Sequence, residues 1–227
     1  MFSEDKPKPL TIADCTWMTL SFGKQSVGLY VPDPEVVKKN YDAVVGMGDT
    51  IPFPYWAQLW PSAMAMCTFL EDNPAFICDL RVMELAGGLG LPSLFAAATA
   101  ASICCSDRSV EAVELVGASA TRNGLDHLKT AVIDWNQLPD DLPFDIVLMS
   151  DVNYDPADMP GLKALFEKLL GSGLTVLLST PERMVAADLL NDLQPFVRSR
   201  SRYEPVDGRF VHVMALAQSD EGLISSR

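Results

Sequence analysis

The sequence predicts an α/β fold of three layers, with a mostly parallel seven-stranded sheet covered by helices on both faces. Three observations carry this. From residue 81 onward, apolar runs of strand length alternate with helical stretches, the pattern of parallel strands joined by crossover helices. Four of those runs end in glycine-rich or acidic sequences: Glu84-Leu85-Ala86-Gly87-Gly88-Leu89-Gly90, Ser106-Asp107, Asp134-Trp135 and Ser150-Asp151-Val152-Asn153-Tyr154. The last two runs flank Asp207-Gly208, a dipeptide suited to joining an antiparallel pair.

The elements follow in order. Thr16 to Val31 alternates loosely around Gly23-Lys24-Gln25 and predicts a hairpin ahead of the sheet. Pro32-Asp33-Pro34-Glu35 opens a short helix through Tyr41, because Asp and Pro favour helix starts and an acid suits the first turn. Gly46, Gly48, Pro52 and Pro54 break the pattern, so residues 46 to 54 read as a mobile connection or lid. An apolar helix then runs from Pro61 to Leu70. Strands are expected at 81–86, 102–106, 130–133, 144–150, 173–179, 196–204 and 209–217, and helices at 90–101, 109–123, 160–170 and 183–194. Residues 1–50 form an extension within the same domain, 51–218 the main domain, and 219–227 a flexible tail.

Composition narrows the function. A chain of 227 residues suits one domain with a complete core. Thirty acidic against 17 basic residues give a net charge of −13, which repels a phosphate backbone and disfavours nucleic acid, while attracting basic partners. The same charge disfavours self-association, so a monomer is expected. Five cysteines without zinc-ligand spacing read as reduced thiols of a cytoplasmic protein, and no metal cluster is expected. The first residues lack the apolar core of a secretion signal. Residues 85 to 106 carry no charge, but Gly87, Gly88, Gly90 and Pro92 interrupt them. A buried strand, turn, helix and strand explain the segment better than a membrane span.

In an open sheet of this kind ligands sit beyond the carboxyl ends of the strands, where the strand order reverses. Glycines there let a ligand approach main-chain N–H groups. Asp107, seventeen residues after Gly90, is placed either to accept ribose hydroxyls or to cap the helix that follows. A dinucleotide pattern would fall on Gly88, Gly90 and Ser93, with an imperfect third position. Glu84 weighs against a pyrophosphate and suits a ligand carrying an ammonium and a sulfonium. Asp134 adds an acceptor for an adenine amino group and Trp135 an apolar wall, which favours S-adenosylmethionine. His127 and His212 accompany no nucleophile motif, so hydrolase chemistry has no support.

These residues resemble the Rossmann-like seven-strand methyltransferases, and within them the protein-lysine methyltransferases related to the enzyme acting on the electron-transfer flavoprotein β subunit. The resemblance covers roughly residues 52 to 217 and rests on Pro54-Tyr55-Trp56-Ala57-Gln58-Leu59-Trp60-Pro61, the stretch Glu84 to Gly90, Asp107, Asn123-Gly124, Asp134-Trp135 and Asp151-Val152-Asn153-Tyr154. It implies that Glu84, Gly88 and Gly90 line the methionine end of S-adenosylmethionine, with Ala86, Gly87 and Ser150 in the same cofactor-binding set. It further implies that Asp107 holds the ribose, Asp134 and Trp135 flank adenine, and Trp60 closes the pocket with Trp56 nearby. Asp151 and Tyr154 would face the methyl group and the incoming amine.

Some readings stay open. Trp56 and Trp60 also have the spacing of a buried helical stripe. Ala86 stands where the family has its first glycine, with Gly87 placed to supply the missing flexibility. Asn153 adds a polar group within the substrate-facing sequence, and Thr180-Pro181-Glu182-Arg183 reads as a solvated helix start at the rim. The substrate implied is a basic protein presenting a lysine. A small-molecule amine and a non-catalytic binding module are the alternatives.

Overall fold

In the computed structural model, which describes residues 9–48, 51–204 and 210–219, the chain begins with the hairpin β1 (Cys15–Phe22) and β2 (Gln25–Pro32), then α1 (Pro34–Gly46) and α2 (Pro61–Asp72). The main sheet follows as β3 (Arg81–Leu85), α3 (Leu91–Ala96), β4 (Ser102–Asp107), α4 (Val110–Arg122), β5 (Leu128–Val132) and β6 (Ile146–Ser150). It is completed by α5 (Met159–Gly171), β7 (Thr175–Pro181), α6 (Ala187–Leu193), β8 (Val197–Tyr203) and β9 (Val211–Leu216). The seven strands take the order β5-β4-β3-β6-β7-β9-β8. All pairs are parallel except β7 with β9 and β8 with β9.

Burial on both faces explains the missing charge in β6 and β7. Ile146 and Leu148 of β6 face a core built with α2, α3 and α4, whereas Val147 and Met149 face a second core built with α5 and α6. The hairpin adds Phe22, Val27 and Leu29 to the first core. Its β2 edge is paired by side chains of α4. Asn123 Oδ1 accepts the Gly28 N–H at 3.1 Å, Asn123 Nδ2 donates to the Gly28 carbonyl at 2.7 Å, and Ser119 Oγ accepts the Tyr30 N–H at 3.0 Å. A side chain at residue 28 would displace the Trp17 ring, because its Cβ would lie 2.0 Å from it. Asn123-Gly124 therefore braces the hairpin as well as ending α4.

Several boundaries differ from expectation. Helix α1 does not stop at Tyr41 but runs to Gly46, since residues 42–45 contain no breaker, and Gly48 takes the left-handed turn after it (φ 92°). Helix α3 ends at Ala96 rather than 101, and the 183–194 stretch is a 3₁₀ turn followed by the short α6. The expected turn at Asp207-Gly208 and most of the expected tail lie outside the described residues, as do residues 49 and 50 of the expected lid. Among the described residues no helix is long and apolar enough to cross a membrane, and no cluster of His, Cys, Asp and Glu could hold a metal ion.

Candidate active site

Strand order reverses between β3 and β6, and the carboxyl ends of those strands open onto a cavity of about 550 Å³. Its floor is the loop after β3. Ala86, Gly88 and Gly90 all take positive φ, at 52°, 55° and 67°, and the Gly90 N–H turns back to the Gly87 carbonyl at 2.8 Å. The left-handed position falls on Ala86 itself, so Gly87 supplies no compensating flexibility. What Gly87 supplies is space, since a Cβ there would lie 2.6 Å from Cys105 Sγ.

Two carboxylates hold this loop. Asp107, at the end of β4, accepts the Gly88 N–H through Oδ2 and the Ser109 N–H through Oδ1, both at 2.9 Å. The helix cap is Ser109, whose Oγ accepts the Ala112 N–H, so Asp107 belongs to the cavity wall rather than to α4. Burial pushes its carboxyl above the usual range despite those hydrogen bonds. Glu84 lies elsewhere than expected. It is 1% exposed, sits beneath the loop, and accepts the Ser93 N–H of α3 at 2.9 Å through Oε2. Cys105 Sγ lies 3.7 Å from the same oxygen, and Oε1 has no partner. Desolvation pushes this carboxyl up to about 7. The cavity is walled by Leu85 to Leu91 and not by Glu84, so the acid shapes the floor from behind.

Asp134 Oδ1 accepts both the main-chain and side-chain N–H groups of Asn136 at 2.9 Å. This caps the 3₁₀ turn Trp135–Gln137 and sets Asp134, Trp135 and Asn136 along one wall. Ser150 at the end of β6, and Asp151 and Tyr154 just after it, also line the cavity. Ser150 Oγ is buried and unpartnered. Asp151 takes φ 59° and donates its N–H to Ser179 O at 2.8 Å. Asn153 points away from the acceptor side: it is fully buried and its Oδ1 accepts the Thr180 hydroxyl at 2.8 Å.

The structure thus brings Trp60, Ala86, Gly87, Gly88, Gly90, Asp107, Asp134, Trp135, Ser150, Asp151 and Tyr154 to one cavity, and leaves Glu84 outside its wall. Trp56 and Trp60 share no helical stripe. Trp56 lies in the 3₁₀ turn Tyr55–Ala57, while Trp60 precedes α2 and donates its Nε1–H to the Tyr55 carbonyl at 2.9 Å. A line of rings runs along the cavity lining: Tyr41 to Phe53, Phe53 to Tyr55 and Tyr55 to Tyr154, each 5.1 Å between centroids.

Sequence reasoning missed this aromatic line, and it missed Arg183. That residue is no solvated helix start. Its guanidinium forms an ion pair with Asp151 Oδ1, and its side chain is 18% exposed. A signal existed, since an arginine just beyond the carboxyl end of a central strand lies beside the ligand crevice.

Comparison with known proteins follows the same lines. A family model described as lysine methyltransferase matches residues 55–193. The human histone-arginine methyltransferase METTL23 is 28% identical over 136 residues, covering 57% of this chain and 72% of that protein. The Danio rerio protein N-lysine methyltransferase METTL21A is 31% identical over 130 residues, covering 54% and 59%. The mouse electron transfer flavoprotein beta subunit lysine methyltransferase is 30% identical over 106 residues, covering 45% and 40%. For the last two relatives the match spans less than two thirds of their length. Among solved structures, the magnesium protoporphyrin IX methyltransferase of Synechocystis PCC 6803 with bound SAM superposes with a TM-score of 0.55 at 15% identity, over 82% of this chain and 97% of that one. The human methyltransferase 10 domain containing protein gives 0.57 at 15% identity, over 82% and 99%. These likenesses show the Rossmann-like methyltransferase fold, and with the family match extending over more than half of its length, the chain belongs to the lysine methyltransferase family.

Proposed function

We propose that this protein is an S-adenosylmethionine-dependent N-methyltransferase acting on a lysine of a protein substrate. The observation that carries the reading is that the glycine loop, Asp107 and Asp134 share one cavity with Asp151 and Tyr154. The residues fit the cofactor. The cavity volume lies in the ordinary range for small-molecule sites, roughly 300 to 1,000 Å³. A Cβ on Gly88 would come within 3.1 Å of the Trp56 carbonyl, so the loop presents bare main chain. Asp107 supplies an acceptor for vicinal hydroxyls. Asp134, Asn136 and Trp135 supply a polar edge and an apolar wall for adenine.

When bound, S-adenosylmethionine supplies an electrophilic methyl group on a sulfonium. The chain must bring a neutral amine in line with it and keep water away. Tyr55, Trp60 and Tyr154 line the cavity with neighbouring rings, and the Tyr154 ring offers a face to a cationic nitrogen. Asp151, already paired with Arg183, orients the acceptor rather than acting as a base, and the amine proton leaves to solvent.

A basic acceptor is supported by the walls, where Asp107, Glu111, Asp134, Asp151 and Asp158 stand against Arg108 among the described residues. Exposed Ile51 and Tyr55 on the cavity lining support a protein over a metabolite. Lysine is favoured over arginine by the family model and by two of the three relatives, whose names give lysine as the residue modified. Five cysteines without a disulfide among them support a cytoplasmic setting.

The test is calorimetric titration with S-adenosylhomocysteine, followed by transfer of labelled methyl groups to lysate proteins and amino-acid analysis of the product. Micromolar binding and labelled methyllysine support the reading. Labelled methylarginine would reassign the acceptor, and absence of binding would replace the enzyme with a binding module.

A further inference from the structure

The cavity has two unlike halves. The charged residues of its lining, Asp107, Arg108, Glu111, Asp134, Asp151 and Asp158, all come from the main sheet's carboxyl ends and the turns and helix starts beside them. The lining drawn from residues 37 to 55 carries no charge among the described residues and includes Val37, Tyr41, Val44, Ile51, Phe53 and Tyr55. The glycine loop, Asp107, Asp134 and Trp135, which fit the cofactor, belong to the first half. The second half offers no carboxylate to hydroxyls or to a sulfonium.

Helix α1 turns one face to this half. Val37, Asn40, Tyr41 and Val44 follow at the three- and four-residue intervals of a helical stripe, while Lys38, Lys39, Asp42 and Val45 are exposed on the other side. Val37 seats the helix in a small cluster with Leu10 and Ala57. Tyr41 and Val44, one and two turns further on, join none of the core clusters among the described residues and stay half-buried. Ile51 and Tyr55 are 38% and 43% exposed, so the apolar wall opens to solvent. An apolar wall that the cores do not use gains its burial when an apolar group enters.

The wall is continuous with the place where methyl transfer is proposed. Three ring-to-ring steps of 5.1 Å lead from Tyr154 through Tyr55 and Phe53 to Tyr41, a reach of at most about 15 Å, which an extended chain covers in about four residues at roughly 3.3 Å each. We propose that this half of the cavity is an acceptor subsite, taking a large apolar side chain that lies close to the target lysine in the protein substrate. The proposal rests on the methyl-transfer reading of the same cavity. Val37, Tyr41, Val44, Ile51 and Phe53 lie before residue 55, where the match to the family model begins, as befits a surface that selects an acceptor rather than one that serves the shared chemistry.

The experiment uses the full chain and its Tyr41→Ser, Tyr41→Leu, Val44→Asp and Val44→Lys variants. Each is titrated with S-adenosylhomocysteine, and initial rates of label transfer from S-adenosylmethionine are measured against increasing concentrations of lysate protein. Tyr41→Ser, Val44→Asp and Val44→Lys should bind S-adenosylhomocysteine within about threefold of the parent, while the lysate concentration at half-maximal rate rises about tenfold, the loss that follows removal of an apolar anchor. Tyr41→Leu keeps an apolar surface and should stay within about threefold on both measures. Mass spectrometry of the parent's products should place the label on lysines with a large apolar residue within about four positions. Parent-like half-saturation in the three polar variants would overturn the proposal, as would label confined to lysines with only polar neighbours at that reach. Opposite effects of Asp and Lys at residue 44 would replace it with recognition of charge, and S-adenosylhomocysteine affinity lost in step with rate would give the wall to the cofactor. A parent that binds S-adenosylhomocysteine but labels no lysate protein would also overturn it. A parent that neither binds S-adenosylhomocysteine nor transfers label would instead sink the methyl-transfer reading itself.

Discussion

The Gly88 N–H donates to Asp107 Oδ2 at 2.9 Å, and this bond joins the loop after β3 to the end of β4 across the cavity floor. It makes Asp107 both a support of the loop and part of the wall a ligand would meet. The carboxylate has a second bond to the Ser109 N–H, so its orientation is fixed before any ligand arrives. Preorganisation of this kind lowers the ordering cost of binding.

Asp107→Ala should therefore weaken S-adenosylhomocysteine binding by about 10- to 100-fold, since hydrogen bonds to a charged group contribute roughly 1.5 to 3 kcal/mol. Isothermal calorimetry measures this. An unchanged affinity would remove Asp107 from the ligand site.

Ala86 takes φ 52°, a left-handed conformation that costs a non-glycine residue roughly 1 to 2 kcal/mol. Ala86→Gly relieves that strain but adds freedom to the unfolded chain. The net expectation is a gain of up to ~1 kcal/mol, a rise of about 2 to 4 °C in Tm, read by thermal denaturation. A lower Tm would show that the methyl group contributes more by packing than its backbone costs.

Glu84 is held up to about 7 from an ordinary value of 4.5 by burial. Because the folded state binds the proton more tightly, the stability linked to this group is fully present below about pH 4.5. It is lost as pH rises through about 7, by an amount on the order of 3 kcal/mol. Glu84→Gln does not titrate. Urea denaturation at pH 5 and pH 8 should show the parent losing more stability over that interval than the variant, and parallel losses would contradict the assignment.

Asn123→Ala removes both hydrogen bonds to Gly28 and leaves part of the β2 edge unpaired. A loss of about 1 to 3 kcal/mol is expected, with earlier hydrogen exchange in β1 and β2 than in the main sheet. Uniform exchange across both sheets would show that the hairpin is not a separate unit of stability.

Tyr154 contributes a ring face near Tyr55, and its hydroxyl is pushed above the ordinary range by burial, so it stays protonated at neutral pH. Tyr154→Phe should keep transfer within about threefold, while Tyr154→Leu should lose roughly tenfold through the missing cation–π contact. Equal loss in both variants would point to the hydroxyl instead.

The cavity's floor and walls were legible because they are local. Strands such as β6 and β7, buried on both faces, lack charge, and in a parallel sheet each strand's end returns to the same edge, so Gly88, Asp107, Asp134 and Asp151 could be assigned to one crevice from sequence alone. The hairpin was legible from its alternation around Gly23. Helix α1 was read too short because Tyr41 ended the visible pattern while nothing in the next four residues stops a helix.

Sequence by itself thus determined the strand order along the chain, the family resemblance and the crevice, because each is written in contiguous residues. Tertiary structure alone decided that Arg183 pairs with Asp151, that Glu84 lies beneath the loop, that Asn123 pairs the edge at Gly28, and that Tyr41, Phe53, Tyr55 and Tyr154 form a line. These contacts join residues from separate elements. Their geometry depends on sheet register and loop packing, which leave no periodic mark in the sequence.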